Sequence, residues 1–174
     1  MLDIINKLAP FFEDCYERIG VREYSKLIKV SPPTASKILK GYEKAGLLEE
    51  TKYRRYLFFN ANRDSKEFID LSRIYWRGRL DELMSFIVGK SVIEPAIVLF
   101  GSLSKAEVKK SSDIDLAVIG ADNKADSAED LRLSKFEKDL DRKVEVFRFR
   151  SLSDASKLPI WKAILNGYIL KGRL

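Results

Sequence analysis

Residues 96–119 read AIVLFGSLSKAEVKKSSDIDLAVI. An unbroken apolar run, AIVLF, is typical of a buried strand, and a Gly-Ser pair follows it at once. After a spacer of ten residues, the triplet DID opens a second apolar run, LAVI. Because alternate residues of a strand face the same side, Asp113 and Asp115 project together while Ile114 points into the core. The stretch predicts two strands, one ending in a Gly-Ser turn and one headed by paired carboxylates.

The chemistry of these polar residues predicts a site for a metal ion and a phosphate. Two neighbouring carboxylates repel each other unless a cation lies between them, and Mg²⁺ is a hard ion that prefers oxygen ligands. Gly101 allows the backbone to approach a phosphate closely. Ser102 offers a hydroxyl and an amide N–H at a helix start. The Gly-Ser pair and Asp113 with Asp115 therefore form one candidate site.

This pattern resembles a known family. FGS followed by SSDIDLAV is similar to the minimal nucleotidyltransferases of the DNA polymerase beta superfamily, and the likeness covers residues 92–171, including the closing ILNGYILKG. The resemblance implies a mixed β-sheet with flanking helices. It also implies binding of ATP or another nucleoside triphosphate with one or two Mg²⁺ ions, and transfer of a nucleotidyl group to a hydroxyl.

The resemblance also assigns roles to single residues. It implies nucleotide binding by Gly101, Ser102 and Lys105, and metal binding and catalysis by Asp113, Asp115 and Glu145. Glu145 stands in KVEVFRF, where strand alternation places it opposite Val144 and Val146 and so allows it to face the Asp pair. There it would complete a second metal site and help to deprotonate the acceptor hydroxyl. An exposed strand position without a role is the alternative for Glu145.

One departure from the family pattern concerns the residues after the Gly-Ser pair. Many relatives have an arginine there, whereas this chain has LSKA at 103–106. Lys105, Lys109 or Lys110 would replace the missing arginine only in part. A retained metal or nucleotide site without turnover is therefore the alternative to a competent active site.

The N-terminal region has a different pattern. Residues 1–62 predict a helix, a second helix at 21–28, a turn, a third helix from Pro32, and two strands at 47–50 and 55–59. The run SPPTASKILKGYEKAGLLEE resembles the winged helix-turn-helix of small prokaryotic transcription regulators.

This resemblance implies DNA binding. A helix of this kind fits the major groove of duplex DNA, and basic residues of the hairpin turn then contact the DNA backbone or minor groove. The predicted DNA-binding residues are Thr34, Ser36, Lys37, Lys40, Lys44, Lys52, Arg54 and Arg55. Protein contacts or dimerisation are the alternative use of this region.

Together these patterns predict an α+β chain of three parts. Residues 1–62 are predicted as a winged helix-turn-helix domain, 63–90 as a single connector helix, and 91–174 as the nucleotidyltransferase domain. The apolar stripe of the connector is wide enough for a homodimer contact, but burial against its own domain is the preferred explanation.

Composition limits the chemistry. The chain has no histidine and one cysteine, which excludes histidine bases, histidine-ligated zinc and an intramolecular disulfide. Cys15 is expected to be a packed thiol because it stands among aromatic residues.

The positive charge is concentrated in one region. The net charge of the chain is +6, and residues 21–60 alone contain nine Lys/Arg against four Asp/Glu, which favours an anionic partner. No signal peptide or membrane span is expected, so a cytoplasmic location is predicted.

These observations favour one function and leave two others open. The leading hypothesis is a Mg²⁺-dependent enzyme that transfers AMP from ATP to a hydroxyl of a protein or RNA acceptor. Its winged helix binds DNA, as in an antitoxin-like regulator of a toxin–antitoxin pair. The second is a DNA-binding regulator whose transferase domain binds nucleotide or a partner without catalysis. The third is an RNA-modifying transferase whose winged helix holds the RNA.

Overall fold

The structure is a computed structural model that describes residues 2–89, 94–120 and 133–174. The chain forms two compact units, one made of Met1–Tyr75 with Ala106–Lys110 and one of Trp76–Lys105 with Ser111–Leu174. The described residues form an α+β fold with two sheets. In the described ranges, none of the helices has the length and apolar character needed to cross a membrane.

The first unit contains helices followed by a hairpin, in the order predicted. Its elements are α1 (Leu2–Glu13), β1 (Ile19–Gly20), α2 (Val21–Leu27), α3 (Pro32–Lys44), β2 (Leu48–Tyr53), β3 (Tyr56–Ala61) and most of α4 (Lys66–Arg79). Helix α3 begins where the proline pair predicts, and the Ser31 hydroxyl caps it by accepting from the Thr34 N–H. The three strands form an antiparallel sheet in the order β1-β3-β2.

The hairpin is longer than the sequence predicts. Thr51 and Lys52, predicted in the turn, lie in β2 opposite Phe58 and Leu57 of β3. Strand pairing continues to Tyr53 and Tyr56, so the turn consists of Arg54 and Arg55, and Arg54 has φ +54°. The prediction of Arg55 as a strand residue was wrong. The physical reason is that threonine and the tyrosines pack well on a strand, which extends the ladder past the polar residues.

Aromatic side chains fill the core of the first unit. Phe11, Phe12, Tyr24 and Phe68 have no exposed surface. The ring centroids of Phe12 and Phe68 lie 5.1 Å apart. Cys15 is buried, which confirms the packed thiol, and its N–H donates to the Val108 carbonyl at 2.8 Å.

The second unit contains a four-stranded sheet with short helices. Its elements are α5 (Asp81–Gly89), β4 (Ala96–Phe100), α6 (Gly101–Ser104), β5 (Ile114–Ile119), α7 (Leu133–Leu140), β6 (Val144–Phe149), α8 (Leu152–Ala155), α9 (Trp161–Leu165) and β7 (Tyr168–Lys171). The strand order is β6-β5-β4-β7, with β5 and β6 parallel and the other pairs antiparallel. The predicted mixed sheet, both apolar strands and the closing helix-to-strand segment are confirmed.

One face of this sheet forms a buried cluster. Val98 of β4 and Ala117 of β5 are paired and have no exposed surface, and Phe149 of β6 continues the cluster. Helices α8 and α9 add Ala155 and Ile164. Because these residues pack together in the core, β4, β5 and β6 keep a fixed register relative to one another.

The predicted connector consists of two helices. Helix α4 ends at Arg79 and α5 begins at Asp81, and the two units divide within α4, between Tyr75 and Trp76. Helix α5 belongs to the second unit, where its Leu83 is buried. The break at Leu80 therefore lies within the second unit, which begins at Trp76. The predicted junction at residues 90 and 91 lies outside the described residues.

Candidate active site

The candidate site begins with strand β5. Ile114 is fully buried and Asp115 is half-buried, in the predicted alternation. Asp113 is half-buried too, but it lies directly before the strand, which begins at Ile114 and not at Asp113 as predicted. Asp115 pairs with Phe100 at the end of β4 and with Glu145 of β6. Paired residues of neighbouring strands share a face, so Asp115 and Glu145 are adjacent in one row across the sheet.

Gly101 completes this row. Its φ is +71°, which favours glycine. A Cβ atom at this position would lie 2.1 Å from Oδ2 of Asp115, well inside van der Waals contact. The start of α6 is therefore pressed against the Asp115 carboxylate, so the structure brings Gly101 next to one of the two predicted aspartates.

The carboxylates crowd one another. The pKa of Asp115 is raised to about 6, first by burial and then by the negative charges of Glu145 and Asp113. Glu145 is exposed, whereas its strand neighbour Val144 is buried. Holding these acidic groups together has an electrostatic cost that a cation would relieve.

The donor set fits a hard divalent cation in its chemistry, since it consists of carboxylate oxygens with excess negative charge. Within the described ranges, however, no group of three or more carboxylate or thiol side chains is gathered as a ready metal site. Strand register aligns Asp115 with Glu145, and Asp113 adds its charge directly before β5. These three residues, the carboxylate row, do not form a closed cage.

The residues after the Gly-Ser pair have mostly structural roles. Leu103 and Ser104 are buried, and the Ser104 hydroxyl donates to the Gly101 carbonyl at 2.9 Å. Lys105 is exposed at the end of α6 and belongs to the same unit as the carboxylates. It is the first cation after the Gly-Ser pair.

Lys109 and Lys110 belong to the first unit. The Lys109 ammonium lies 5.2 Å from the ring centroid of Tyr16, and the Lys110 N–H donates to the Asp14 carboxylate at 3.0 Å. These contacts give both residues a role in packing the first unit.

Sequence reasoning missed a buried arginine next to the site. Arg142 is 7% exposed, and its Nη1 donates to the Ser112 carbonyl at 2.9 Å, one residue before Asp113. Its guanidinium carbon lies 5.1 Å from the ring centroid of the buried Trp76. Arg142 thus holds the backbone that leads into the Asp pair. No local pattern signals this role, because Trp76 and Arg142 meet only in the folded chain.

The predicted DNA-binding residues lie in the first unit. Thr34, Lys37, Lys40 and Lys44 are exposed along α3, and Ser36 is half-buried. The Thr34 hydroxyl shares a hydrogen bond with the Ser31 cap, and the Lys40 ammonium lies 3.1 Å from the Glu50 carboxylate. Lys52, Arg54 and Arg55 are exposed on the hairpin. The candidate surface is therefore open, but Lys40 already has an anionic partner.

Comparison with known proteins supports the interpretation of the second unit. The family model described as Polymerase beta, Nucleotidyltransferase matches residues 82–173, more than half of the chain. The match includes α5 and both strands of the candidate site. Neither the curated proteins nor the solved structures gave a significant match. The chain therefore belongs to the polymerase beta nucleotidyltransferase family, whose general chemistry is nucleotidyl transfer.

Proposed function

We propose that this protein is a Mg²⁺-dependent nucleotidyltransferase that transfers AMP from ATP to a hydroxyl of a protein or RNA acceptor, with pyrophosphate as the leaving group. The observation that carries the proposal is the packing of Gly101 against the Asp115 carboxylate, with Glu145 paired beside it. Gly101 allows the backbone to approach a phosphate, and an excess of carboxylates lies next to it at one end of the strands. This combination suits a triphosphate bound with its metal. Belonging to the family supports the same chemistry.

Each residue of the site has a proposed task. Gly101 lets the backbone approach the triphosphate, while Ser102 donates from its hydroxyl and N–H and Lys105 adds positive charge. Asp113 and Asp115 would hold Mg²⁺, which when bound offsets the negative charge of the reacting phosphates. Glu145 is exposed and can accept the proton of the acceptor hydroxyl.

We further propose that the first unit is a winged helix-turn-helix that binds duplex DNA. Its helix order, the three-stranded sheet and the exposed cations of α3 and the hairpin support this proposal. A transferase that also binds DNA suits an antitoxin-like regulator in the cytoplasm, acting on a partner and on its own gene.

Intact-mass measurement of the protein with its co-purifying partners, after incubation with ATP and Mg²⁺, tests the transfer. A mass gain of one or more AMP units is expected, and Asp115→Asn should abolish it. Asp139→Asn is the matched control because Asp139 is an exposed carboxylate of helix α7 and belongs to none of the paired strands that hold Asp115 and Glu145. An equal gain with Asp115→Asn would disprove the assigned site.

A second candidate function is a DNA-binding regulator whose transferase domain binds nucleotide without catalysis. The structure favours it at one point, because Leu103 and Ser104 are buried where many relatives have an arginine. Stabilisation of the protein by Mg²⁺-ATP, without any covalent product, would favour this regulator over the enzyme.

A further inference from the structure

The tip of the β2–β3 hairpin leaves two aromatic rings open to solvent. Tyr53 and Tyr56 are paired across the two-residue turn and are 61% and 47% exposed. Exposed single aromatic residues are common on surfaces, but here two are adjacent and flank two arginines. The tip therefore has an unusual density of flat, partly apolar surface.

Each ring is accompanied by a guanidinium group. The guanidinium carbon of Arg54 lies 5.5 Å from the Tyr53 centroid, and that of Arg55 lies 5.3 Å from the Tyr56 centroid. Nη2 of Arg55 also donates to the Tyr56 hydroxyl at 3.2 Å. Tyrosine rings and guanidinium planes both stack on nucleobases, and the arginine charge attracts phosphate.

A groove of the first unit begins at this hairpin tip. Its volume is about 810 Å³, and its walls include Val21, Pro32, Leu57 and Phe58. This volume falls in the range of small-molecule sites. The groove has room for a nucleotide and walls that suit a flat base.

The charge at the groove is positive. Arg22 and Arg55 line it, together with Glu23, and the Glu23 carboxylate already accepts from the Gly20 N–H at 3.4 Å. An apolar segment from a second copy of the chain would leave these cations without anionic partners. An acidic peptide would pair with the cations but would not use the open tyrosine faces.

We propose that the hairpin tip and this groove bind unpaired nucleotides of a DNA or RNA strand, with bases stacked on Tyr53 and Tyr56 and phosphates paired with Arg22 and Arg55. This site shares Arg55 with the proposed duplex surface of α3 and the hairpin, but it adds Arg22 and the two tyrosine rings. It does not depend on nucleotidyl transfer. It would direct the protein to nucleic acid that has a single-stranded end or loop.

Binding of the full-length chain to fluorescent oligonucleotides tests the proposal. The probes are a blunt duplex, the same duplex with an overhang, and the single strand alone, each as DNA and as RNA. Unpaired probes should bind more tightly than the blunt duplex. The double variant Tyr53→Ala/Tyr56→Ala should weaken binding of unpaired probes by at least about fivefold and change blunt-duplex binding less than twofold.

The matched control is Tyr53→Phe/Tyr56→Phe, which keeps both rings and should keep tight binding. Thermal melting of both double variants verifies folding, since these side chains are exposed and their loss should leave the core intact. A preference for RNA over DNA would indicate contact with the 2′-hydroxyl, and equal binding would indicate stacking and phosphate contacts alone. Binding confined to the blunt duplex, or equal loss for paired and unpaired probes, would overturn the proposal.

Discussion

The carboxylate row of the second unit and the cationic surface of the first differ in how the fold treats like charges. Asp115 is half-buried beside Glu145 and Asp113, and its pKa is raised by that environment. Lys37 and Lys52, by contrast, are exposed to solvent, where water screens their repulsion. Holding like charges together where they are partly buried lowers the free energy of unfolding, so such an arrangement indicates a function. Exposed cations have almost no such cost. The carboxylate row is thus the stronger indication of function.

The largest expected effect is a loss of nucleotide transfer without a loss of DNA binding. Asp113→Asn or Asp115→Asn keeps the side-chain size and removes the charge that would balance the metal and phosphate. Nucleotide transfer should fall by at least about a hundredfold. DNA binding should not change, because both residues lie in the second unit. A transfer assay run beside a DNA-binding assay measures both, and a parallel loss of DNA binding would contradict the separation.

A second test concerns the contact that fixes the carboxylate row. Gly101→Ala places a methyl group 2.1 Å from Asp115 Oδ2 at a φ of +71°, so it should lower the free energy of unfolding by about 2 kcal/mol. Transfer should fall with it. Gly78→Ala is the matched control, because a Cβ at that helical position meets nothing within 4 Å. Denaturant unfolding of both variants measures the difference, and equal stability would show that the backbone at Gly101 adapts without cost.

The raised pKa of Asp115 predicts a pH effect with a definite sign. A folded-state pKa of about 6, above the ordinary 3.8, stabilises the protein at low pH, and this contribution is lost as pH rises through 6. Without metal, Asp115→Asn should therefore match the wild type near pH 4 and exceed its unfolding free energy near pH 7. After solvent screening, the excess should be on the order of 1 kcal/mol.

Urea unfolding in EDTA across this pH range measures the difference between the two proteins. Mg²⁺-ATP should reverse it, because the ionised carboxylate binds the metal. A variant less stable than the wild type at every pH would indicate that Asp115 has a purely structural role.

The smallest effect concerns single cations of α3. Lys37→Ala should weaken duplex binding about threefold and reduce the log–log salt dependence by about 0.9, the value for one phosphate contact. Lys40→Ala should change the salt dependence less, because Lys40 is paired with Glu50 at 3.1 Å. Glu50→Gln should release Lys40 and tighten binding. Equal salt slopes for the two lysine variants would show that Lys40 leaves Glu50 for phosphate.

The accuracy of the sequence predictions depended on how local each feature is. Both apolar strands of the candidate site were predicted correctly, because a short apolar run with alternating carboxylates specifies a strand within a few residues. The hairpin turn was misplaced, because cross-strand pairing of Thr51 with Phe58 outweighed the polar character of the segment. The break between α4 and α5 was missed, because the helical pattern continues through Leu80.

By itself, the sequence determined the chemistry of this protein: which acidic, basic and small residues exist, and which of them share a strand face. Only the tertiary structure decided which of them meet. Strand pairing places Glu145 beside Asp115, the turn after β4 brings Gly101 against the same carboxylate, and folding places Arg142 between Trp76 and Ser112. Periodicity reports the faces of one element, whereas register and packing between elements depend on contacts between residues far apart in the chain.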